Sequence, residues 1–296
     1  MKLFTEIRPQ KLDVSCSTAD RIMMLGSCFS DVVGKRMLDG GFDVCINPFG
    51  ALYNPLTITA AVRRLDSGKP FTKDECVPMG AGAGMICSFS HHTSFARPTV
   101  QAFLDNANKS LAEASAFWKT CNKVIITLGT AHVWNHERAG IVANCLKRNE
   151  SEFRRYMLER EFCERTLSEM VLSHPDKQFI FTVSPIRHLS QGAHENTLSK
   201  SILHLSVLDV IYKASKNGIT AAYFPAWEIM NDELRDYRFY AADLVHPSTT
   251  AEEIIWERFL ECAVPPGEHA AIRAAAKESR RNAHRPILDT GRKDVS

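Results

Sequence analysis

Short runs of consecutive apolar residues recur along the chain, separated by longer stretches with helical spacing. Arg21-Ile-Met-Met-Leu25, Asp43-Val-Cys-Ile46, Lys123-Val-Ile-Ile-Thr-Leu128, Gln178-Phe-Ile-Phe-Thr-Val183 and Ala221-Ala-Tyr-Phe224 are too short for helices and mostly do not alternate. That is the pattern of strands buried on both faces. Residues 31–38, 56–65, 99–119, 150–172 and 196–216 carry helical periodicity. Strands and helices in alternation predict βαβ units, and hence a three-layer α/β/α sandwich around a five-stranded parallel sheet.

Two regions leave this rhythm. Residues 67–98 hold Gly80-Ala-Gly-Ala-Gly84 and then Cys87-Ser-Phe-Ser-His-His-Thr-Ser-Phe95; this is too long for an ordinary connection and reads as an insertion near the strand ends, where loops carry specificity. Residues 265–296 read as a terminal helix followed by a polar, basic tail. With no internal repeat or low-complexity linker, residues 1–264 are expected to form one domain.

Composition adds exclusions. Lys and Arg number 36 against 34 Asp and Glu, a net charge of +2, which gives no whole-chain reason to expect nucleic acid or a membrane as partner. No apolar run reaches the roughly 18–20 residues of a membrane span, and Met1–Gln10 lacks a signal-peptide core; the expected location is cytoplasmic. Nine cysteines without a CxxC pair fit reduced thiols better than a disulfide framework. Oligomeric state is not encoded at this level.

Candidate chemistry gathers at two turns. Met24-Leu-Gly-Ser-Cys-Phe-Ser30 follows the first strand and opens a helix, the place where open α/β sheets bind ligands. Ser27 would begin that helix, where free N–H groups and the helix dipole stabilise an oxyanion; capping by Ser27 or Ser30 is the structural alternative. Cys28 is expected to point into the core. After the fifth strand comes Tyr240-Ala-Ala-Asp-Leu-Val-His-Pro-Ser-Thr-Thr250. Asp243 can fold back to accept the Nδ1 proton of His246, leaving Nε2 free as a general base. Thr249 and Glu252 have the spacing of a capping box for the next helix.

Gly26-Ser27-Cys28-Phe29-Ser30 resembles the signature of the GSCFA domain family, with Ser30 in place of alanine. Asn47-Pro-Phe-Gly50, Tyr53-Asn-Pro55, Thr127-Leu-Gly-Thr-Ala131, Thr182-Val-Ser-Pro-Ile-Arg-His-Leu189, Glu195-Asn196, Ser199-Lys200, Tyr223-Phe-Pro-Ala226 and Asp232–Tyr240 extend the match over roughly residues 3–262. That family is similar to the SGNH/GDSL hydrolases, whose fold is flavodoxin-like and whose members mostly cleave esters. The resemblance implies Ser27 as nucleophile, His246 as base and Asp243 as its orienting acid. It also implies oxyanion donors at the Ser27 N–H and at Gly50, with Asn47 a further candidate. The third SGNH block usually reads Gly-x-Asn, whereas this chain has Gly129-Thr130-Ala131-His132. Asn47, Asn54, His132 or a backbone N–H would have to replace the missing amide.

His92 in the insertion, Asn54, His132, and Arg187 and His188 after the fourth strand are candidate substrate-binding residues. His132 and His136 have metal-pair spacing without the Glu of a zinc protease, so no metal and no cofactor is expected. The expected function is a serine esterase that removes a small acyl group, such as acetyl, from a carbohydrate or other polar alcohol. An acyltransferase with the same triad, or a non-catalytic binder of glycans or metabolites, is the alternative.

Overall fold

The structure, a computed structural model, describes residues 5–80 and 84–283. Residues 81–83 of the glycine run and the tail after residue 283 lie outside the described residues. Five strands, β1 (Arg21–Gly26), β2 (Asp43–Ile46), β3 (Lys123–Leu128), β4 (Gln178–Val183) and β5 (Ala221–Tyr223), form one sheet in the order β5-β4-β3-β1-β2. Every pairing in it is parallel, as βαβ crossovers require. The order is that of a flavodoxin-like sheet, whose switch point lies between β1 and β3.

Helices cover both faces, so the strand sequences show little alternation although their side chains do alternate. Met23, Leu25, Val124, Ile126, Phe179 and Phe181 face one layer, made of α2 (Pro55–Ser67), α3 (Val100–Trp118), α4 (Arg160–Leu172) and α5 (Ala193–Lys216). Ile22, Met24, Ile125 and Ile180 face the other, made of α1 (Cys28–Asp39), α6 (Thr249–Ala263) and α7 (His269–Ala283). Each such side chain, fully buried, contributes about 1.5–3 kcal/mol. Among the described residues no helix is long and apolar enough to cross a membrane.

Three local expectations change. The helix read over 150–172 starts only at Arg160, because Phe153–Met157 pairs with His132–His136 in a small antiparallel sheet completed by Gly140–Val142. Phe153 is buried while Arg154 and Tyr156 are exposed, an alternation that suits a half-buried strand. The cap of α6 is Ser248, whose hydroxyl accepts from the Ala251 N–H, one residue before the Thr249 expected. The terminal helix α7 belongs to the main core: Ile272 is buried against Gly40, and Ser279 Oγ donates to Asp39 Oδ1 at 2.7 Å.

Candidate functional site

The chain leaves β1 through a turn only glycine can make. Gly26 has φ +146°, and a Cβ there would lie 2.2 Å from Thr127 O. Sheet pairing then continues for one more residue, since the Ser27 N–H donates to Thr127 O at 3.0 Å. Ser27 is the N-cap of α1: its Oγ faces the Phe29 N–H at 3.4 Å, and the residue is 0% exposed. Ser30 is also buried and donates to Thr127 Oγ1. With both serines held inside, the next side chain that reaches the strand ends is Cys28.

Cys28 Sγ lies 3.8 Å from His246 Nε2. The pair expected at Ser27 is therefore formed by its neighbour, and the expectation that Cys28 turns into the core is corrected. The reason is local: serine makes a good helix cap and cysteine does not, so the serine takes the buried cap position. Burial, followed by the charge of Asp31, pushes the Cys28 thiol up, while the Cys28 and Phe29 backbone amides and Lys200 pull it down.

The Asp243–His246 loop matches its expected geometry. Asp243 Oδ2 meets His246 Nδ1 at 2.6 Å, and Oδ1 accepts from the Val245 and His246 N–H groups at 2.9 and 3.0 Å. Those backbone donors, then the imidazole, hold the Asp243 carboxyl down at about 2. Closing the loop puts Leu244 in the left-handed region at φ +57°, which is uncommon for a bulky residue. Arg187 braces the same loop: its N–H donates to Val245 O, its Nη1 to Leu244 O, and its guanidinium lies 5.3 Å over Tyr240. The side chain expected to grip substrate is thus engaged by the loop.

The expected oxyanion donors are committed elsewhere. Gly50, at φ +76°, uses its N–H on Asn47 O at 2.7 Å. Asn47 accepts from the Gly26 N–H and donates to Asp31 Oδ1 at 2.7 Å. Asn54 caps α2 by accepting from the Thr57 N–H, and the Ser27 amide is tied to β3 as above. These are turn and cap roles, which Asn, Ser and Gly fill for their backbone properties.

The remaining candidates separate into two groups. His92 is half-buried, its Nδ1 facing Ser94 Oγ at 3.1 Å; burial lowers it while Asp31 opposes. Its neighbour His91 is fully buried among Phe71, Phe95 and Phe103, an aromatic core residue. His132 and His188 lie beside β3, with both nitrogens of His132 and Nε2 of His188 buried and without a hydrogen-bond partner. Burial, then the charges of Lys200, His246 and His132, lowers His188 to about 3. His132 Nε2 is 3.5 Å from Glu195 Oε2. His132 and His136 end one strand, about 13 Å apart along it, so their spacing makes no metal pair. Among the described residues no group of three or more His, Cys, Asp or Glu is arranged to hold a metal.

Two residues in the site had no role assigned from sequence. Lys200 is 2% exposed and donates from Nζ to Gly129 O and Ser184 O, both at 2.7 Å, tying the ends of β3 and β4 together. Burial lowers its amine to about 7. Tyr53 stacks edge-on against His188, and its phenol is raised to about 12 by burial and then by the charges of Cys28 and Asp31. A lysine inside an amphipathic helix gives no sign of complete burial; the one available signal was its place in the Ser199-Lys200 motif.

A parallel five-stranded α/β/α sandwich with the strand order of a flavodoxin-like sheet thus brings Cys28 beside His246, and His246 beside Asp243, past the carboxyl ends of its strands. Residues 21–259 match the model of the GSCFA family, and the chain belongs to that family. Comparison with curated proteins and with solved structures finds no match.

Proposed function

We propose that the chain is an acyl-transfer hydrolase that opens esters of small acyl groups through Cys28. The proximity of Cys28 Sγ and His246 Nε2 at 3.8 Å, with Ser27 fully buried beside them, supports this reading most. Because burial raises the thiol, Cys28 rests protonated and needs a base during attack. His246 takes the proton as Sγ bonds to the carbonyl carbon and the C=O pair moves to oxygen. The intermediate then expels the alkoxide, which receives the proton from His246. Water, deprotonated by the same imidazole, hydrolyses the thioester to the free acid and restores the thiol. The start of α1, with the Cys28 and Phe29 amides close to Sγ, favours negative charge there.

The candidate substrate-binding imidazoles His92, His132 and His188 favour a polar alcohol, such as a carbohydrate carrying an acetyl group, over a long lipid chain. All nine cysteines are free, which supports action in a reducing compartment such as the cytoplasm. The test is p-nitrophenyl acetate turnover combined with peptide mapping after iodoacetamide. Cys28→Ala abolishes turnover, whereas Ser27→Ala keeps it and costs about 1 kcal/mol of stability as a lost cap. Wild-type turnover in Cys28→Ala overturns the proposal. Transfer product in excess of free acid, with sugar acceptors present, assigns the same triad to a transferase.

A further inference from the structure

The donors implied by the family resemblance are absent or committed: Ala131 has no side-chain donor, and the Ser27 and Gly50 N–H groups are bound to Thr127 O and Asn47 O, while the substitute Asn47 donates to Asp31. Something else must hold the carbonyl oxygen if the site is to accelerate acyl transfer. Directly over Gly129, at the end of β3, stands the His188 imidazole, its Nε2 3.2 Å from the place a Cβ on Gly129 would occupy. That nitrogen is buried and has no partner, a state that calls for an explanation in a folded protein. Backbone contacts place it next to the Cys28–His246 pair. The Gly129 N–H donates to Tyr53 O, and the His188 ring packs against Tyr53 at 5.9 Å; the N–H of Leu52, beside Tyr53, donates to Gly26 O at the turn that leads to Cys28. The Arg187 N–H, one residue before His188, donates to Val245 O in the loop that carries His246, whose Nε2 lies 3.8 Å from Cys28 Sγ.

We infer that His188, proton on Nε2, is the hydrogen-bond donor to the carbonyl oxygen of the substrate and to the oxyanion that forms when Cys28 attacks, in the place of the missing asparagine. This rests on the Cys28 reading above. Gly129 is then needed as glycine because any side chain would press on the donor. Burial and the positive charge of Lys200 keep His188 neutral above about pH 3, so it donates throughout the working range without competing with His246 as an acid. A neutral imidazole is a proper electrophile for a developing oxyanion.

The experiment compares the wild type with His188→Leu and His188→Gln, the latter keeping an N–H donor at similar reach. Three readouts are taken: p-nitrophenyl acetate kinetics, the affinity of a trifluoromethyl ketone, and the rate of Cys28 alkylation by iodoacetamide. The ketone forms a thiohemiketal in which the Sγ–C bond is made, the carbonyl oxygen becomes an oxyanion and the thiol proton passes to His246. Iodoacetamide displacement forms no oxyanion. His188→Leu lowers kcat and ketone affinity about 10²–10³-fold, leaves KM and alkylation near wild type, and His188→Gln recovers part of the loss. Wild-type kcat and ketone affinity in His188→Leu overturn the inference alone. Equal losses in alkylation and kcat in both variants also overturn it, since they mark a collapsed site. A wild type that neither turns over ester nor binds the ketone overturns the Cys28 reading and this inference together.

Discussion

Asp243 and His246 expose 51% and 47% of their side chains and grip each other within four consecutive residues, with Arg187 bracing the loop from outside. Lys200 of α5 is buried and bound through Nζ to carbonyls just past β3 and β4, and His188 is partly buried, with its backbone N–H on Asn196 Oδ1 of α5, so these groups come from parts of the chain that lie far apart. One region of the site is a surface loop whose Asp–His pair is set by adjacent residues; the other is a floor that exists only when the sheet is complete. The difference separates activity from stability: changes in the loop should alter chemistry with the fold intact, and changes in the floor should alter both.

His246→Ala gives the largest effect and the sharpest separation. Losing the general base lowers kcat by about 10²–10⁴, while the half-exposed position limits the change in stability to about 0.5 kcal/mol. Thermal melting together with p-nitrophenyl acetate kinetics checks this, and a large drop in Tm would break the division between loop and floor.

Lys200→Met acts on the floor. It leaves Gly129 O and Ser184 O without a donor, at about 1–3 kcal/mol for a buried polar group, offset in part because no amine is buried. The pH dependence is the cleaner readout. The native amine titrates near 7 against the ordinary 10.5, so between those values the unfolded chain binds a proton that the native chain does not. Stability from this group therefore rises as pH goes from about 7 to 10.5, at most by about 1.4 kcal/mol per unit, and is lost as pH falls through 7. Urea unfolding across that window should show the slope in the wild type and not in Lys200→Met. A slope in both, or in neither, assigns the stability to other groups.

The same division explains what was legible in the sequence. Arg21–Leu25, 43–46, 123–128, 178–183 and 221–224 announced the sheet almost to the residue, because a doubly buried strand is a continuous apolar run. The Asp-x-x-His loop was readable for a similar reason: its geometry is set by four adjacent residues. Phe153–Met157 was missed because its partner lies about 20 residues earlier and a helical period runs on from it. That Cys28 and not Ser27 lies beside His246 was missed because it depends on where sheet pairing stops, and Ser27 still pairs with Thr127 across 100 residues. The cap rule held the answer in part: a serine spent on the helix cap cannot also face His246. Lys200 was readable only as a motif member, since complete burial of a charged side chain is decided by the packing of distant elements, whereas His188 was marked as a candidate by its place after the fourth strand.

The smallest expected effect probes whether the loop carries strain of its own. Leu244 has φ +57°, exposes 47% of its surface, and contributes its carbonyl to Arg187. A non-glycine residue in this region costs about 1–2 kcal/mol, less for asparagine, whose side chain bonds locally. Leu244→Asn removes little buried area and keeps the carbonyl, so it should raise stability by under about 1 kcal/mol with kcat near wild type, read by urea unfolding and ester kinetics. A gain in stability with a fall in kcat would mean that the strained turn tunes the His246 position, which would join chemistry to backbone strain within the loop. No change in either would mean that Asp243, gripping two backbone amides, sets the loop conformation without help from its neighbour.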